Sequence, residues 1–200
     1  MTHHSARSSR LVRVGLLAVA IIVSVSTPSA SERAGQVRVN LDAQLSMEFT
    51  KLVEQYVQVH RKADQAVPEV SNSATAEEVS AHVQAVARLI AQARGRSKQG
   101  DIFTRDIRAY FRRQIGRAVS GPDGAQIKAS IMEDNPGAIK LQVNGPYPDT
   151  IPVAFMPPQI LEVLPKLPRE LEYRFIGVRL ILHDIHANLI ADYIDDALPD

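Results

Sequence analysis

From Leu41 onward, apolar residues recur every three or four positions: Leu41, Leu45, Phe49, Leu52, Val53 and Tyr56, with Lys51, Glu54 and Gln55 between them. This spacing predicts an amphipathic helix that ends near Ala66, because Pro68 cannot continue it. The segment VPEVSNSAT then reads as a loop. Thr75 followed by Glu78 is a capping box, in which each side chain satisfies a free backbone N–H at the start of a second helix. That helix carries Val79, Val83, Val86, Leu89 and Ile90 on one face and stops near Gly95. A third begins around Asp101, presents Phe103, Ile107, Tyr110 and Phe111 on one side, and ends before the turn SGPDG.

After Gly121 the texture changes. KLQV (140–143) is a short strand candidate, and the proline-rich NGPYPDTIPVAFMPP predicts extended, irregular chain. Pro157 and Pro158 suit the start of a short helix, PQILEVL, closed by PKLP. ELEYRF alternates, Gly177 supplies a turn, and RLILHD follows as its partner strand. NLIADYI fits either period. Alternation puts Leu189, Ala191 and Tyr193 on one face, whereas helical spacing runs through Ile185, Leu189, Tyr193 and Ala197. A strand is favoured because Ala187-Asn188 sits where a turn is needed, and asparagine tolerates the left-handed conformation. The expected fold class is α+β: three antiparallel helices (41–120) packed on a small antiparallel sheet with one short helix (121–200), in one compact domain.

The N-terminus changes where this domain is expected to reside. Arg7, Arg10 and Arg13 precede the apolar run Val14–Val25, and STPSASE supplies small residues for cleavage. That is the layout of a secretory signal peptide over residues 1–30, with residues 31–40 a flexible lead-in. The apolar run of 12 residues falls short of the roughly 18 expected of a membrane span. The alternative is an uncleaved N-terminal anchor. No twin arginine and no cysteine point to Tat export or lipidation. The expected location is periplasmic or secreted, with no transmembrane segment after cleavage.

Charge and composition then exclude some classes. The whole chain has 23 basic and 22 acidic residues; residues 1–30 hold three arginines and no acid, so the remainder carries −2. Nucleic-acid binding is not expected. Without cysteine there are no disulfide staples, and without tryptophan a common sugar-stacking residue is missing.

The pieces YPDTIPVAFMPP, LPKLPRELEYRFIG and LILHDIHANLIADYI resemble a family of uncharacterised exported bacterial proteins. Its pattern reads MPP…LPxLPxELEYRFxGxxLILxDxxANLIxDxI. The resemblance covers roughly the last quarter of the chain and implies export and a bacterial origin but no activity. The motif positions that match are Met156, Pro157, Tyr173, Arg174, Gly177, Asp184, Asn188 and Asp192. His183 and His186 fall where the pattern is open.

Three candidate chemistries follow. His183, Asp184 and His186 are metal-ligand types, with Asp192 as a fourth group; but adjacent residues of a strand point to opposite faces, so His183 and Asp184 converge only if the chain turns. Asp184 and Asp192 could act as the paired carboxylates of a hydrolase if they face each other about 5–10 Å apart. Either can equally be structural, accepting turn N–H groups. Arg105, Arg108 and Arg112 share a helix face, a stripe suited to an anionic envelope component; its alternatives are a solvated face or a dock for the acidic C-terminal tail. Tyr173 and Phe175 read as core, and His60 and His82 as lone surface residues. No cofactor is implied beyond a divalent metal at the histidines. The leading expectation is an exported binding or structural protein of the envelope, contacting an anionic component or another envelope protein. The alternative is a metal-dependent or carboxylate hydrolase around Asp184 and Asp192.

Overall fold

The computed structural model describes residue 1 and residues 30–133, 139–148, 150–151 and 156–199. Most of the expected signal peptide (1–30) therefore lies outside the described residues, as does part of the proline-rich stretch. The class is α+β. Helices α1 (Ala30–Gln65), α2 (Ala76–Ala93), α3 (Arg105–Ala118), α4 (Gly124–Met132) and α5 (Pro158–Val163) precede strands β1 (Leu171–Ile176), β2 (Arg179–Asp184) and β3 (Leu189–Ile194). The strands form an antiparallel meander in the order β1-β2-β3.

Helix α1 is longer than the periodicity predicts. Residues 31–40, expected as a flexible lead-in, belong to it, and Val37, Val39 and Leu41 stay exposed. The burial that fixes α1 begins at Leu45 and continues through Phe49, Val53, Tyr56, Val57, His60 and Ala63. The Thr75 capping box forms as expected: the Thr75 side chain accepts from the Glu78 N–H, and Glu78 accepts from the Thr75 N–H at 2.8 Å. Thr75→Ala is expected to lower stability by about 1 kcal/mol. On a chain of this size that is a drop of roughly 2–4 °C in a thermal melt.

Helix α4 is an element the sequence reading left out. Its first residue lies so close to the C-cap of α3 that a Cβ at Gly124 would lie 1.8 Å from the Val119 carbonyl oxygen, so only glycine fits. KLQV is not a strand. Residues 144–147 instead run beside β3: Asn144 N–H donates to Ile190 O, Ile190 N–H to Gly145 O, and Tyr147 N–H to Asn188 O.

The sheet is covered on both faces. On one, Phe49 stacks on Phe103 (5.5 Å between centroids), meets Phe111 edge-on (4.8 Å) and approaches Tyr173 (6.3 Å), joining α1, α3 and β1. Tyr173 and Phe175 are core, as their shared strand face predicts. On the other, Leu141, Tyr147 and Ile151 cover Ile176, Ile181 and Ile190.

Asn188 adopts φ 50°, the left-handed conformation anticipated there, and Gly177, expected as a turn, also has a positive φ of 57°. The β2–β3 ladder shifts register between Leu182 and His183, so Leu182 faces Asp192 while His183 faces Ile190. This bulge leaves Ala191 as an extra residue and breaks the expected alternation. Leu189, Ala191 and Ile194 all face the helices, whereas Tyr193 packs on the opposite side with Ile190.

Candidate functional site

The polar residues of the C-terminal hairpin separate into three groups, each tied to a different part of the fold. The first centres on Asp184, at the end of β2 and fully buried. Its Oδ1 accepts the backbone N–H groups of His186 (3.1 Å) and Ala187 (2.9 Å), which shapes the β2–β3 turn. Its Oδ2 accepts the Tyr56 hydroxyl at 2.7 Å and lies 2.6 Å from Nδ1 of His60. An ionised carboxylate can only accept, so neutral His60 carries its proton on Nδ1. One carboxylate thus joins a turn and a helix that are 128 positions apart in sequence at Tyr56.

His60 is 2 % exposed, so its reading as a surface residue is corrected. It continues the buried seam of α1, following Phe49, Val53 and Tyr56 at intervals of four, three and four. That spacing was the available signal. The other histidine read as lone and exposed, His82, is half-buried; its Nδ1 lies 3.0 Å from Pro68 O and its Nε2 3.5 Å from Asp64. The exposed His186 ring sits 5.8 Å from that of His60. Arg94 lies over the Tyr56 ring at 4.7 Å and donates to Asn144 Oδ1 and Ala191 O, so it serves the interior.

Burial pushes the Asp184 carboxyl upward, but the hydrogen bond and charge of His60, the Ala187 N–H and the Tyr56 hydroxyl outweigh it and hold it below the ordinary carboxylate range. For His60, burial acts downward, and the hydrogen bond and charge of Asp184 prevail, with help from Asp64 and Glu170, so its value is raised. A raised histidine stabilises the fold fully below its unfolded value of about 6.5 and loses this as pH rises through the folded value. A lowered carboxyl stabilises above about 3.9 and loses this as pH falls. The pair therefore contributes most between roughly pH 4 and 6.5. The melting deficit of His60→Gln against wild type is expected to be largest near pH 5 and smaller at pH 8. A deficit independent of pH would contradict this.

The second group centres on Asp192, also fully buried. The bulge at Ala191 turns it toward the α2–α3 loop. Its Oδ2 accepts the N–H groups of Ile102 and Phe103, both at 2.8 Å, and of Gly100 at 3.2 Å; its Oδ1 accepts Gly100 at 3.0 Å and Tyr193 at 2.8 Å. Gly100 sits at φ 93°, a conformation that L side chains rarely adopt. Burial raises this carboxyl, and the four amides pull it back without offsetting the burial. Asp184 and Asp192 both face the helices but accept from different parts of the chain, one from α1 and the β2–β3 turn and the other from the α2–α3 loop, with Arg94 within electrostatic reach of both.

The third group lies on the opposite sheet face. His183 Nδ1 is 2.8 Å from Glu172 and its Nε2 3.1 Å from Asn188 Oδ1. Its ring packs against Tyr147 with centroids 4.6 Å apart, and Glu172 also accepts from Arg174. His183 and Asp184 point away from each other, as strand geometry dictates, so the set His183, Asp184, His186 does not converge. Among the described residues, no three His, Asp or Glu side chains are placed to hold a metal ion.

The arginine stripe also divides. Arg112 donates to the backbone oxygens of Asp195 (2.7 Å) and Asp196 (3.0 Å), clasping the C-terminal segment. The acidic tail does dock on α3, through its carbonyls. Arg108 is half-buried beside Gly100. Arg105 projects outward, its side chain 88 % exposed and paired with Asp106. Further along α3, Arg113 and Arg117 reach Asp42 of α1.

No family model, curated protein or solved structure matches this chain.

Proposed function

We propose that this chain is an exported bacterial envelope protein, periplasmic or secreted, that works by binding another envelope protein and not by catalysis. The observation that carries this reading is the occupancy of Asp184 and Asp192. Every oxygen of both carboxylates already accepts a donor from the chain itself, and both side chains are sealed from solvent. A general acid or base needs a proton-exchanging atom within reach of substrate. These carboxylates have their reach spent on amides and on Tyr56 and His60.

Export is supported by the arginine-flanked apolar run at the N-terminus. Among the described residues no helix is long and apolar enough to cross a membrane. A protein partner is favoured over an anionic polymer because Arg112 is spent on its own chain and Arg108 is half-buried, leaving Arg105 as the outward member of that stripe. One open feature among the described residues is largely apolar instead. A groove of about 630 Å³ is lined mostly by apolar side chains, among them Leu161, Leu167 and Tyr173, together with Glu162, Lys166 and Glu172.

One observation favours the hydrolase alternative: Asp184 orients His60 as a carboxylate orients a catalytic imidazole. A thermal melt of the metal-stripped chain against Zn²⁺, Mn²⁺, Ca²⁺ and Ni²⁺ tests the metal-dependent form of that alternative. A ligand of the folded state at 100 times its Kd adds about 2.7 kcal/mol, a shift of roughly 5–10 °C. The expected result is no shift. A shift abolished by His60→Ala or His186→Ala would overturn the binding reading and direct hydrolase assays to that corner.

A further inference from the structure

The two edges of the sheet are treated differently. The outer edge of β3 is closed by residues 144–147, by Arg94 on Ala191 O and by Gln99 on Tyr193 O. Among the described residues, the edge of β1 is covered at its start, where Leu171 N–H meets Pro168 O, and has no backbone partner at Tyr173 and Phe175. Which groups it presents follows from the hairpin. Gly177 and Val178 form a two-residue connection, so the closing pair Ile176↔Arg179 exchanges both hydrogen bonds. The pairs Arg174↔Ile181 and Glu172↔His183 do the same by alternation, which turns the N–H and C=O of Tyr173 and Phe175 away from β2. Flanking bonds agree: Ile185 N–H donates inward to Glu170 O, while Leu171 N–H donates outward to Pro168 O.

An outward row of alternating donors and acceptors has one chemical complement, another extended backbone. The charges along β1 say whose. If a second β1 pairs antiparallel with Tyr173 opposite Tyr173, then Glu172 of each copy stands opposite Arg174 of the other, and Leu171 opposite Phe175. The strand is self-complementary in charge about that two-fold. The same axis, perpendicular to the sheet, keeps both apolar grooves on one face and brings them side by side. Leu161, 47 % exposed on α5, lines that groove. We propose that β1 is a homodimer interface, joining two meanders into one six-stranded antiparallel sheet with Tyr173 on the two-fold axis.

This rests on the reading that the chain works through a contact surface, yet the two fail separately: a metal-induced shift overturns that reading, and a monomeric chain overturns this one. The chain has no cysteine, which permits a register-specific test. Glu172 and Arg174 of the two copies would form a non-hydrogen-bonded pair, with Cα atoms about 4.5 Å apart, within disulfide range. Full-length Glu172→Cys and Arg174→Cys variants are recovered from an export host, checked by circular dichroism, and oxidised alone and mixed. The expected result is a disulfide-linked dimer from the mixture and not from either variant alone. Leu161→Glu, at a half-exposed position that the fold tolerates, is expected to weaken self-association at least about ten-fold by analytical ultracentrifugation. A wild-type chain that stays monomeric at the highest concentration reached, or like variants that cross-link as readily as the mixture, would overturn the proposal.

Discussion

Asp184→Asn is expected to cost about 3 kcal/mol, a fall of roughly 6–12 °C in melting temperature. The asparagine can keep one carbonyl oxygen, so either the turn or α1 retains its acceptor. The other then meets an NH₂ group. If the oxygen stays with the N–H groups of His186 and Ala187, the amide NH₂ faces the Tyr56 hydroxyl and Nδ1–H of His60, both buried donors. The Tyr56 hydroxyl can rotate; the His60 ring must change tautomer or lose its partner. A buried donor left without an acceptor costs about 1–3 kcal/mol. Set against a total stability of about 5–15 kcal/mol for a typical domain, this single oxygen decides a large share of the margin. Urea unfolding of wild type and variant measures it, with the slope checked so that a changed midpoint can be read as changed stability.

Asp192→Ala is expected to cost about 3–5 kcal/mol, more than Asp192→Asn. Alanine leaves the N–H groups of Gly100, Ile102 and Phe103 facing an apolar void where one oxygen now takes all three. Those amides belong to the loop that launches α3, and Phe103 itself stacks in the aromatic core. Asparagine keeps the Oδ2 position as a carbonyl and loses chiefly the acceptor for Tyr193 N–H, so it should cost about half as much. Because burial raises the pKa of Asp192, the neutral amide also removes part of the penalty of holding a charge there. Equal costs for the two substitutions would mean that the loop amides find water instead.

Much of the fold was written in the periodicities. Three helices, the short Pro158 helix and the hairpin strands all follow from apolar spacing, caps and turn residues, and Asn188 was placed in its left-handed turn by its chemistry alone. Helix α4 was missed because GPDGAQIKASIM carries too few apolar repeats to show a period; its burial is contributed by Ile127 and Ile131, which join the main core. KLQV has a strand's composition, but Asn144 at φ 61° and Pro146 deflect the chain beside β3 into a single bridge.

The site was legible in part. Asp184 and Asp192 were singled out as turn-amide acceptors or catalytic groups, and the amide contacts are there. What could not be read is the partner set. Tyr56 and His60 lie more than 120 positions from Asp184, and no local pattern encodes that distance. His60 was nevertheless in view, since it occupies the next step of the α1 seam; its polarity disguised its place. The β-bulge at Ala191 was invisible for a different reason. It inverts which face Asp192 takes, and nothing in LIADYI marks an unpaired residue.

The central claim is that Asp184 and Asp192 tie the sheet to the helical part of the chain. Its most direct test is a double-mutant cycle of Tyr56→Phe and Asp184→Asn, with a parallel cycle of His60→Gln and Asp184→Asn, read by urea unfolding. The predicted result is a coupling energy of at least about 1 kcal/mol in each cycle. Additive single-site costs, with Asp184→Asn within about 0.5 kcal/mol of wild type, would contradict it.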